Sequence, residues 1–318
     1  MKEKRPVAKI NVGGQAVIEG VMMRAPNALA IAVRKPNGEV VVKEDSWRSL
    51  SKRFKFLRWP LIRGSVVLLE TLINGFQALF FSANQALEEG QGKEKLNSWT
   101  LGLVLAAAFG IGILFFVVLP HYLTGFIGRF LDRELGVESL SFHLIDGLIK
   151  VSFFVGYIYL ISLLRDIRRI FQYHGAEHKS IYAYEAGEEL TVSNAKRHST
   201  LHPRCGTAFL LIVLIVSIIF FSTIFPFLPK FPSLGKGLTN LIYVGIKLPL
   251  LFPIGGVAYE VIKLSGKNPD HPILRIVIAP GLWLQRITTQ EPTDDQIEIA
   301  LRALQGALRI ESRQEAVL

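Results

Sequence analysis

The sequence contains very little cysteine and comparatively little charge. Cys205 is the single cysteine among 318 residues, so an intrachain disulfide is excluded, and we expect packing or a bound metal ion to hold the fold. Only 19% of the residues are charged, whereas half are hydrophobic and the mean hydropathy is +0.36. A soluble domain of this length would struggle to bury so much apolar surface. The composition therefore predicts a membrane protein in a reducing compartment.

Other absences concern targeting, repetition and nucleic acid. The charged segment 1–10 is not followed by an apolar run long enough for a cleaved signal peptide, so the mature chain is expected to begin in the cytosol. There is no internal repeat and no low-complexity stretch. The net charge of +10 is typical of cytoplasmic loops beside anionic headgroups. We therefore predict a lipid bilayer as partner, with another membrane protein as a further candidate and no nucleic acid. The oligomeric state stays open.

Four apolar segments have the length of about 20 residues that a hydrocarbon core requires. They are approximately 101–120, 144–164, 208–228 and 241–262. A fifth apolar segment, 60–81, is interrupted by Arg63, Glu70 and Asn74. We interpret it as an interfacial or re-entrant helix, with a fifth span as the alternative.

Charge in the connections predicts the orientation of these spans. The loop 121–143 has two basic and three acidic residues, whereas 165–207 has seven basic residues. The positive-inside rule therefore places both termini and the second loop in the cytoplasm. The expected location is the inner or plasma membrane, with several passes and the second loop facing the cytoplasm.

The ends of the chain predict small cytoplasmic elements. The β-favouring runs 28–33 and 40–42 are joined through Asn37 and Gly38, a strong hairpin signal. Glycines in 12–23 indicate a tight turn or a close backbone approach. Near the C-terminus, 293–296 has the form of a capping box before a helical apolar stripe, which predicts an amphipathic helix docked on the cytoplasmic domain.

Together these patterns predict a mainly α polytopic membrane protein with about four transmembrane helices, a small N-terminal β element and an amphipathic C-terminal helix. The predicted regions are a β-rich region 1–47, a basic and aromatic interfacial segment with its helix 48–98, spans one and two in 99–164, the cytoplasmic loop 165–207, spans three and four in 208–262, and a cytoplasmic tail 263–318. Within that tail, the apolar segment 272–283 is expected to be broken by Pro280-Gly281 and to lie at the interface.

The cytoplasmic loop holds a candidate metal site. If the second span continues as a helix past Arg165, then His174 and His178 are one turn apart and Glu177 lies beside them. Two histidines at i and i+4 can bind one metal ion. The order H-x-x-E-H is that of inverted zinc peptidases, in which the glutamate acts on the attacking water.

A second pair of candidate ligands follows in the same loop. Ser193 is a candidate N-cap for a short helix 194–198, and Pro203 forces His202 into extended backbone, which places His202 and Cys205 on a turn. The four candidate ligands would suit tetrahedral zinc; a thiolate favours zinc, although another divalent transition metal stays open. Four protein ligands would make a closed structural site, whereas three would leave an open position and make Glu177 a general base.

Simpler interpretations stand beside these. The juxtamembrane histidines could form a polar helix face with hydrogen-bonded imidazoles, and Cys205 alone is more often a small buried hydrophobe. His198 is more typical of a surface residue than of a ligand, and Glu185 of a solvated carboxylate than of a distal acid. Asp146 and Lys247, inside or at the edge of spans, are either functional or snorkel to the interface. His121, His143 and His271 receive no role.

Four motifs carry a resemblance to a known family. They are YHGAEHK at 173–179, HPRCGT at 202–207, GGQAVIEGVMMR at 13–24 and ITTQEP at 287–292. With them the chain resembles, over nearly its whole length, the bacterial YqhQ family of integral membrane proteins of unknown function, described as predicted metal-dependent enzymes. The resemblance implies a metal but supplies no reaction. The residues that match the family's motif by position are His174, Glu177, His178, His202 and Cys205, whereas His198 has no counterpart in it. Glu19 and Arg24 of the glycine-rich motif are candidates to line the same pocket, with a purely structural turn as the alternative.

Two functions of different class follow as hypotheses. The first is a metal-dependent hydrolase at the cytoplasmic interface, with Glu177 as base and a lipid-linked or membrane-protein substrate. The second is a non-enzymatic scaffold or assembly factor with a structural His/Cys zinc site. Transport of a metal or small solute is weaker, because the spans carry few polar residues.

Overall fold

The structure is a computed structural model that describes residues 10–86, 98–131, 136, 139–229, 235–268 and 271–315. The charged residues 1–9 lie outside the described part, as do four charged residues of the first connecting loop that entered the orientation argument: Asp132, Arg133, Glu134 and Glu138. The described chain is mainly helical, with one antiparallel sheet near its N-terminus.

The sheet has four strands that pair in sequence order. They are β1 (Gly13–Val17), β2 (Gly20–Arg24), β3 (Ala28–Arg34) and β4 (Val40–Ser46). The predicted hairpin is confirmed as β3 and β4, with Gly38 in the left-handed region at φ 86°. The glycine-rich segment also forms a hairpin, β1 and β2, in which Glu19 takes the left-handed turn position at φ 53°. The sequence indicated a turn there, but not the two strands.

Helices follow the sheet to the end of the described chain. They are α1 (Leu50–Arg53), α2 (Ile62–Ala86), α3 (Ser98–Ile113), α4 (Leu119–Phe130), α5 (Leu140–Ser162), α6 (Arg165–Ala186), α7 (Val192–Lys196), α8 (Gly206–Ile224), α9 (Lys236–Lys267), α10 (Pro272–Thr288) and α11 (Asp294–Glu315). A π-helical turn, Leu114–Val118, joins α3 to α4.

Both faces of the sheet are buried, each under a different helix. Side chains alternate along a strand, so Ala30 and Ala32 of β3 pack with α6 and α11, whereas Ile31 and Val33 pack with Ala78 of α2. Burial on both faces explains why 28–33 is apolar without alternation. The sheet is therefore the layer between α2 on one side and the pair α6 and α11 on the other.

Five helices of the described chain are long and apolar enough to cross a membrane. They are Ile62–Ala86, Gly102–Phe130, Leu140–Ser162, Gly206–Phe227 and Gly237–Gly266. Four of them overlap the four predicted spans, and the fifth is α2, which the sequence left between an interfacial helix and a span. Their length and composition are compatible with a membrane protein.

Three details of the helices differ from the predictions. The second span does not continue past Arg165, because Leu164 is extended (ψ 132°) and α6 starts afresh. The short helix begins at Val192, not at 194, because the side chain of Thr191 and not of Ser193 accepts from the Asn194 N–H. Finally, α10 runs unbroken through Pro280-Gly281, since a proline removes only one hydrogen bond and the helix is packed against α8 and α9.

The predicted amphipathic C-terminal helix is present as α11. The Thr293 N–H donates to Gln296 Oε1 at 2.9 Å, which is one of the two hydrogen bonds of a capping box. The apolar stripe of α11, including Ile297, Leu301 and Leu304, packs against the sheet and α6. At the far end Glu311 is buried and accepts two hydrogen bonds from Asn27, at 2.7 Å and 2.5 Å. Both ends of α11 are thus attached to the N-terminal region.

The close packing of α6 against the segment after α10 generates a stability prediction. A Cβ on Gly175 would lie 2.1 Å from the Gln290 carbonyl oxygen, so Gly175→Ala should lower the free energy of unfolding by about 1–3 kcal/mol through overpacking. Thermal unfolding can be followed with a thiol-reactive dye, because Cys205 is buried in the folded chain. The matched control is Gly156→Ala in α5, where a Cβ meets no atom within 4 Å. Equal melting of the two variants would contradict the packing shown here.

Candidate metal centre

Four segments of the chain bring the candidate residues together. Helix α6 carries His174, Glu177 and His178 on one buried face, as their spacing predicted. His202 lies in the segment between α7 and α8, and Cys205 is the N-cap residue of α8. The last turn of α10 supplies backbone and amide groups around them.

The two histidines of α6 are oriented by backbone carbonyls. His174 Nδ1 lies 2.8 Å from the Thr288 carbonyl oxygen, and His178 Nδ1 contacts that of Thr200. A carbonyl can only accept, so each Nδ1 carries a proton, and in the neutral imidazole Nε2 is the nitrogen left to bind a metal. This is the usual outer support of a metal-binding histidine. The ring centroids are 4.5 Å apart.

Cys205 faces these rings at the start of α8. Its Sγ lies 3.2 Å from His174 Nε2 and 3.4 Å from the Thr207 N–H, which donates to it. Burial alone would raise the pKa of Cys205, but His174 and His178 outweigh it and hold the pKa well below its ordinary value. Burial conversely opposes protonation of His174, yet the Cys205 thiolate and Glu177 raise its pKa to about 9. The thiolate is the form that binds metals.

Three donor atoms are close enough to share one metal ion. The ligand atoms of His174, His178 and Cys205 all lie within 4.8 Å of one another. Two imidazole nitrogens and a thiolate are donor chemistry that suits zinc. The residues therefore fit the metal that the family resemblance implies, and three protein donors would leave a fourth position for another ligand.

His202 lies beside this group and is not among the three. Its ring centroid is 5.5 Å from that of His178, its Nδ1 accepts from the Arg204 N–H at 3.3 Å, and its Nε2 is 3.5 Å from Glu185. Burial and the neighbouring His178 lower the pKa of His202 to about 4, which keeps it neutral. Its role as fourth ligand stays a prediction.

Glu177 is buried next to the three donors. Its Oε2 lies 3.9 Å from His174 Nε2, and 5% of the residue is exposed. Strand β1 closes over it: a Cβ on Gly14 would lie 2.8 Å from Glu177 Cγ. The glycine-rich motif therefore does reach the site, through the absence of a side chain at Gly14.

The other candidates have different partners. Glu19 forms an ion pair with Arg169 and lies 3.3 Å from the Tyr173 hydroxyl, so it contacts α6 but not the donor atoms. Arg24 points to the other side of the sheet, where it pairs with Glu70 at 3.2 Å. Glu19 and Arg24 therefore do not line the pocket around the donor atoms. Both make structural contacts instead. His198 pairs with Glu188 at 3.1 Å, and Glu185 pairs with Arg204.

The supporting groups were missed by reasoning from side-chain chemistry. Gln285 accepts from the His202 N–H at 2.7 Å and donates to its carbonyl at 2.8 Å. The buried amine of Lys179 donates to the carbonyls of Lys196 and His198 at 2.9 Å and 2.7 Å. Thr288 lies within the ITTQEP motif, and this motif was the one sequence feature that pointed to the segment. Backbone carbonyls are present at every residue, so the sequence cannot indicate which of them act as acceptors.

Comparisons with known proteins identify relatives without a known activity. The profile of a family described as "Protein of unknown function (DUF1385)" matches residues 59–310. Over 322 residues the chain is 32% identical to an uncharacterized protein, YqhQ, of Bacillus subtilis (strain 168), which covers 99% of this chain and 96% of that relative. No solved structure matches the chain. The resemblance inferred from the four motifs is confirmed.

The geometry predicts which side chains hold a metal. His174→Ala and Cys205→Ser should each lower the metal content of the purified protein by on the order of tenfold, because each removes one of three converging donors. Elemental analysis after purification without chelators provides the measurement. His198→Ala, a histidine of the same loop outside the group, is the matched control. A metal content unchanged by both variants, or equally lowered by the control, would contradict this assignment.

Proposed function

The chain belongs to the DUF1385 family, which includes YqhQ of Bacillus subtilis, and we propose that it is a metal-dependent membrane hydrolase acting at the cytoplasmic membrane interface. The observation that carries the proposal is the buried carboxylate of Glu177 beside three convergent donors from His174, His178 and Cys205. Such a set has the composition of a catalytic rather than a closed site, because one coordination position remains.

The roles of the residues follow from their positions. A divalent ion, when bound, would supply a Lewis acid that activates water and polarises the substrate. Glu177 would accept the proton of the attacking water at its carboxylate and pass it to the leaving group as the scissile bond breaks. The carbonyls of Thr288 and Thr200 hold the imidazoles in one tautomer. Burial of these groups excludes bulk water and strengthens each electrostatic contact.

Chain connectivity supports four crossings. The sheet precedes α2 in sequence, yet it packs against α6, so the number of crossings between them must be even. Three candidate spans lie between them: α2, the α3–α4 unit and α5. One of the three therefore stays on the side of the sheet.

Contacts along α2 support its being the helix that does not cross. Near its start, Arg63 pairs with Glu260 of α9, and Gly64 lies against Gly256. Further along, Glu70 pairs with Arg24, and Ala78 is in the core beneath the sheet. The helix thus begins beside the second half of α9 and continues onto the sheet, which is consistent with its remaining on one side. This agrees with the interfacial helix and with both termini in the cytoplasm.

The same arrangement supports a substrate held at the membrane. The segment before α2 exposes Phe54, Phe56 and Trp59 near Arg58, a combination that suits the headgroup region. Cys205 begins α8, so the metal centre would lie where that helix enters the bilayer. A lipid-linked molecule or the tail of a membrane protein would reach this position without leaving the membrane.

The second candidate is a scaffold in which the metal is structural. It is favoured by the depth of the site, since His178 and Cys205 are buried and join α6 to α8. In that case removal of the metal by a chelator and the substitution Cys205→Ser should lower the melting temperature equally, and Glu177 should be dispensable.

The hydrolase proposal makes a prediction about Glu177. Glu177→Gln should keep the metal, because the three donors remain, but should reduce turnover by about 10²–10⁴-fold. Cells lacking the gene, complemented with wild type or variant, should then differ by an uncleaved lipid-linked or peptide species, measured by mass spectrometry of membranes. Glu188→Gln is the control, because Glu188 pairs with His198 outside the donor group. Wild-type membrane composition in the Glu177→Gln strain would exclude the hydrolase and leave the scaffold.

Membrane topology is tested by labelling introduced cysteines with an impermeant maleimide. Ser139→Cys, before α5, should react in intact spheroplasts, whereas Ala86→Cys at the end of α2 and Ser312→Cys in α11 should react only after permeabilisation. The unmodified chain is the background control, since its one cysteine is buried. Reaction of Ala86→Cys in intact spheroplasts would mean that α2 crosses.

A further inference from the structure

A second group of buried ionisable side chains lies between the candidate spans, away from the metal centre. Asp146 and Lys150 belong to α5, Lys247 to α9 and His121 to α4. Asp146 is about 24 Å from the end of α5 at Ser162, given a rise of ~1.5 Å per residue. The side chains of Asp146, Lys150 and Lys247 are only 2%, 7% and 2% exposed.

The contacts in this group are unbalanced. Both ammonium groups bind the same oxygen, Asp146 Oδ2, with Lys150 Nζ at 2.7 Å and Lys247 Nζ at 3.1 Å. Among the described residues Asp146 Oδ1 is buried and has no hydrogen-bond partner. Lys247 Nζ also lies 3.4 Å from His121 Nδ1. Two ammonium groups therefore contact one oxygen atom of a single carboxylate.

Within the described part of the chain, Asp146 is the acidic side chain that acts on Lys247 and His121. Lys247 Nζ lies 5.6–5.7 Å from the ring centroids of Phe142, Phe221 and Phe225, which attract a cation but carry no charge. Other described polar side chains of the three helices around it include His143 of α5, Ser217 and Ser222 of α8, and Asn240 and Tyr243 of α9.

A purely structural ion pair would not need the second lysine. One lysine and one aspartate across two helices already form a pair, and adding a second buried ammonium introduces repulsion at low dielectric. Loss of one positive charge removes the repulsion between the two ammonium groups. A proton can leave without an open cavity, whereas an anion needs room to enter beside side chains that are almost fully buried.

We propose that Lys247 and His121 form a proton-exchange site within the membrane-spanning bundle. The Lys247 ammonium transfers a proton to His121 Nδ1, which leaves a neutral amine and an imidazolium, and the imidazolium then releases a proton from Nε2 to water. The cluster keeps Asp146 and Lys150 as a balanced pair. His121 precedes the exposed Tyr122 in the first turn of α4. Through this exchange the charge of the cluster would respond to the pH on the side of the membrane opposite the metal centre. The proposal is independent of the proposed hydrolase.

The experiment counts protons. Purified protein and the variant Lys247→Met are titrated between pH 6 and 9 in weakly buffered detergent with a pH indicator, and the difference between the curves is taken. The proposal expects about one additional proton released per chain by the wild type. Lys150→Met, which also leaves one cation with Asp146, should abolish the same release and serves if Lys247→Met does not fold. Lys263→Met, further along α9, is the control and should titrate as wild type in this range.

Two results would overturn the proposal. Equal proton release by wild type, Lys247→Met and Lys150→Met would mean that both lysines stay charged and that the cluster is a structural ion network. A difference that is present in gluconate but disappears in chloride would mean that a bound anion balances the surplus charge. In that case the cluster is an anion site and not a proton site.

Discussion

The contact between the His174 imidazole and the Cys205 thiolate is the point on which the arrangement of the sheet, α6 and α8 depends. It joins α6, which packs on the sheet, to the first residue of α8, which enters the helix bundle. On the same face of the site, α6 approaches the segment after α10 so closely that a Cβ at position 175 would lie 2.1 Å from the Gln290 carbonyl oxygen. The sheet, the bundle and the C-terminal region therefore meet at one point, and the donor atoms lie there.

The polar face of α6 explains the loops around it. Burying His174, Glu177, His178, Lys179 and Ser180 on one helix is unfavourable unless the polar groups find partners. The partners are mostly backbone carbonyls at helix C-termini (Thr288 and Lys196) and in the irregular segment after α7 (His198 and Thr200), where no intrahelical N–H occupies the acceptor. The segments 196–200 and 288–291 thus supply the acceptors that the buried polar groups of α6 need. Their carbonyls also set the orientation of the imidazoles.

The sequence predicted the part of the site that depends on residue spacing within one helix, and little of the part that depends on packing. A histidine, a glutamate and a second histidine at i, i+3 and i+4 share a helix face whatever surrounds the helix, so this part of the site was available from sequence. The two strands around Gly14 and Gly20 were not, because glycine carries little preference for a strand. Leu164 gave no signal of a helix break, and the packing of α10 overrode the signal of Pro280. The His202 ring accepts a hydrogen bond from the Arg204 backbone N–H. Every residue except proline has this group, so the residue type at position 204 could not indicate the orientation of His202.

The two ionisable clusters differ in the sign of their charge, and this difference bears on what each can hold. The candidate metal centre places the Cys205 thiolate and the Glu177 carboxylate among imidazoles, so its acidic groups can balance a divalent cation. The cluster in the bundle has two ammonium groups for one carboxylate and would repel the same ion. Of the two clusters, a metal ion is therefore expected at the first, while the inner cluster can change its charge only by losing a proton or gaining an anion. Helix α8 is common to both clusters, because Cys205 precedes its first residue whereas Phe221 and Phe225, at its other end, lie beside Lys247.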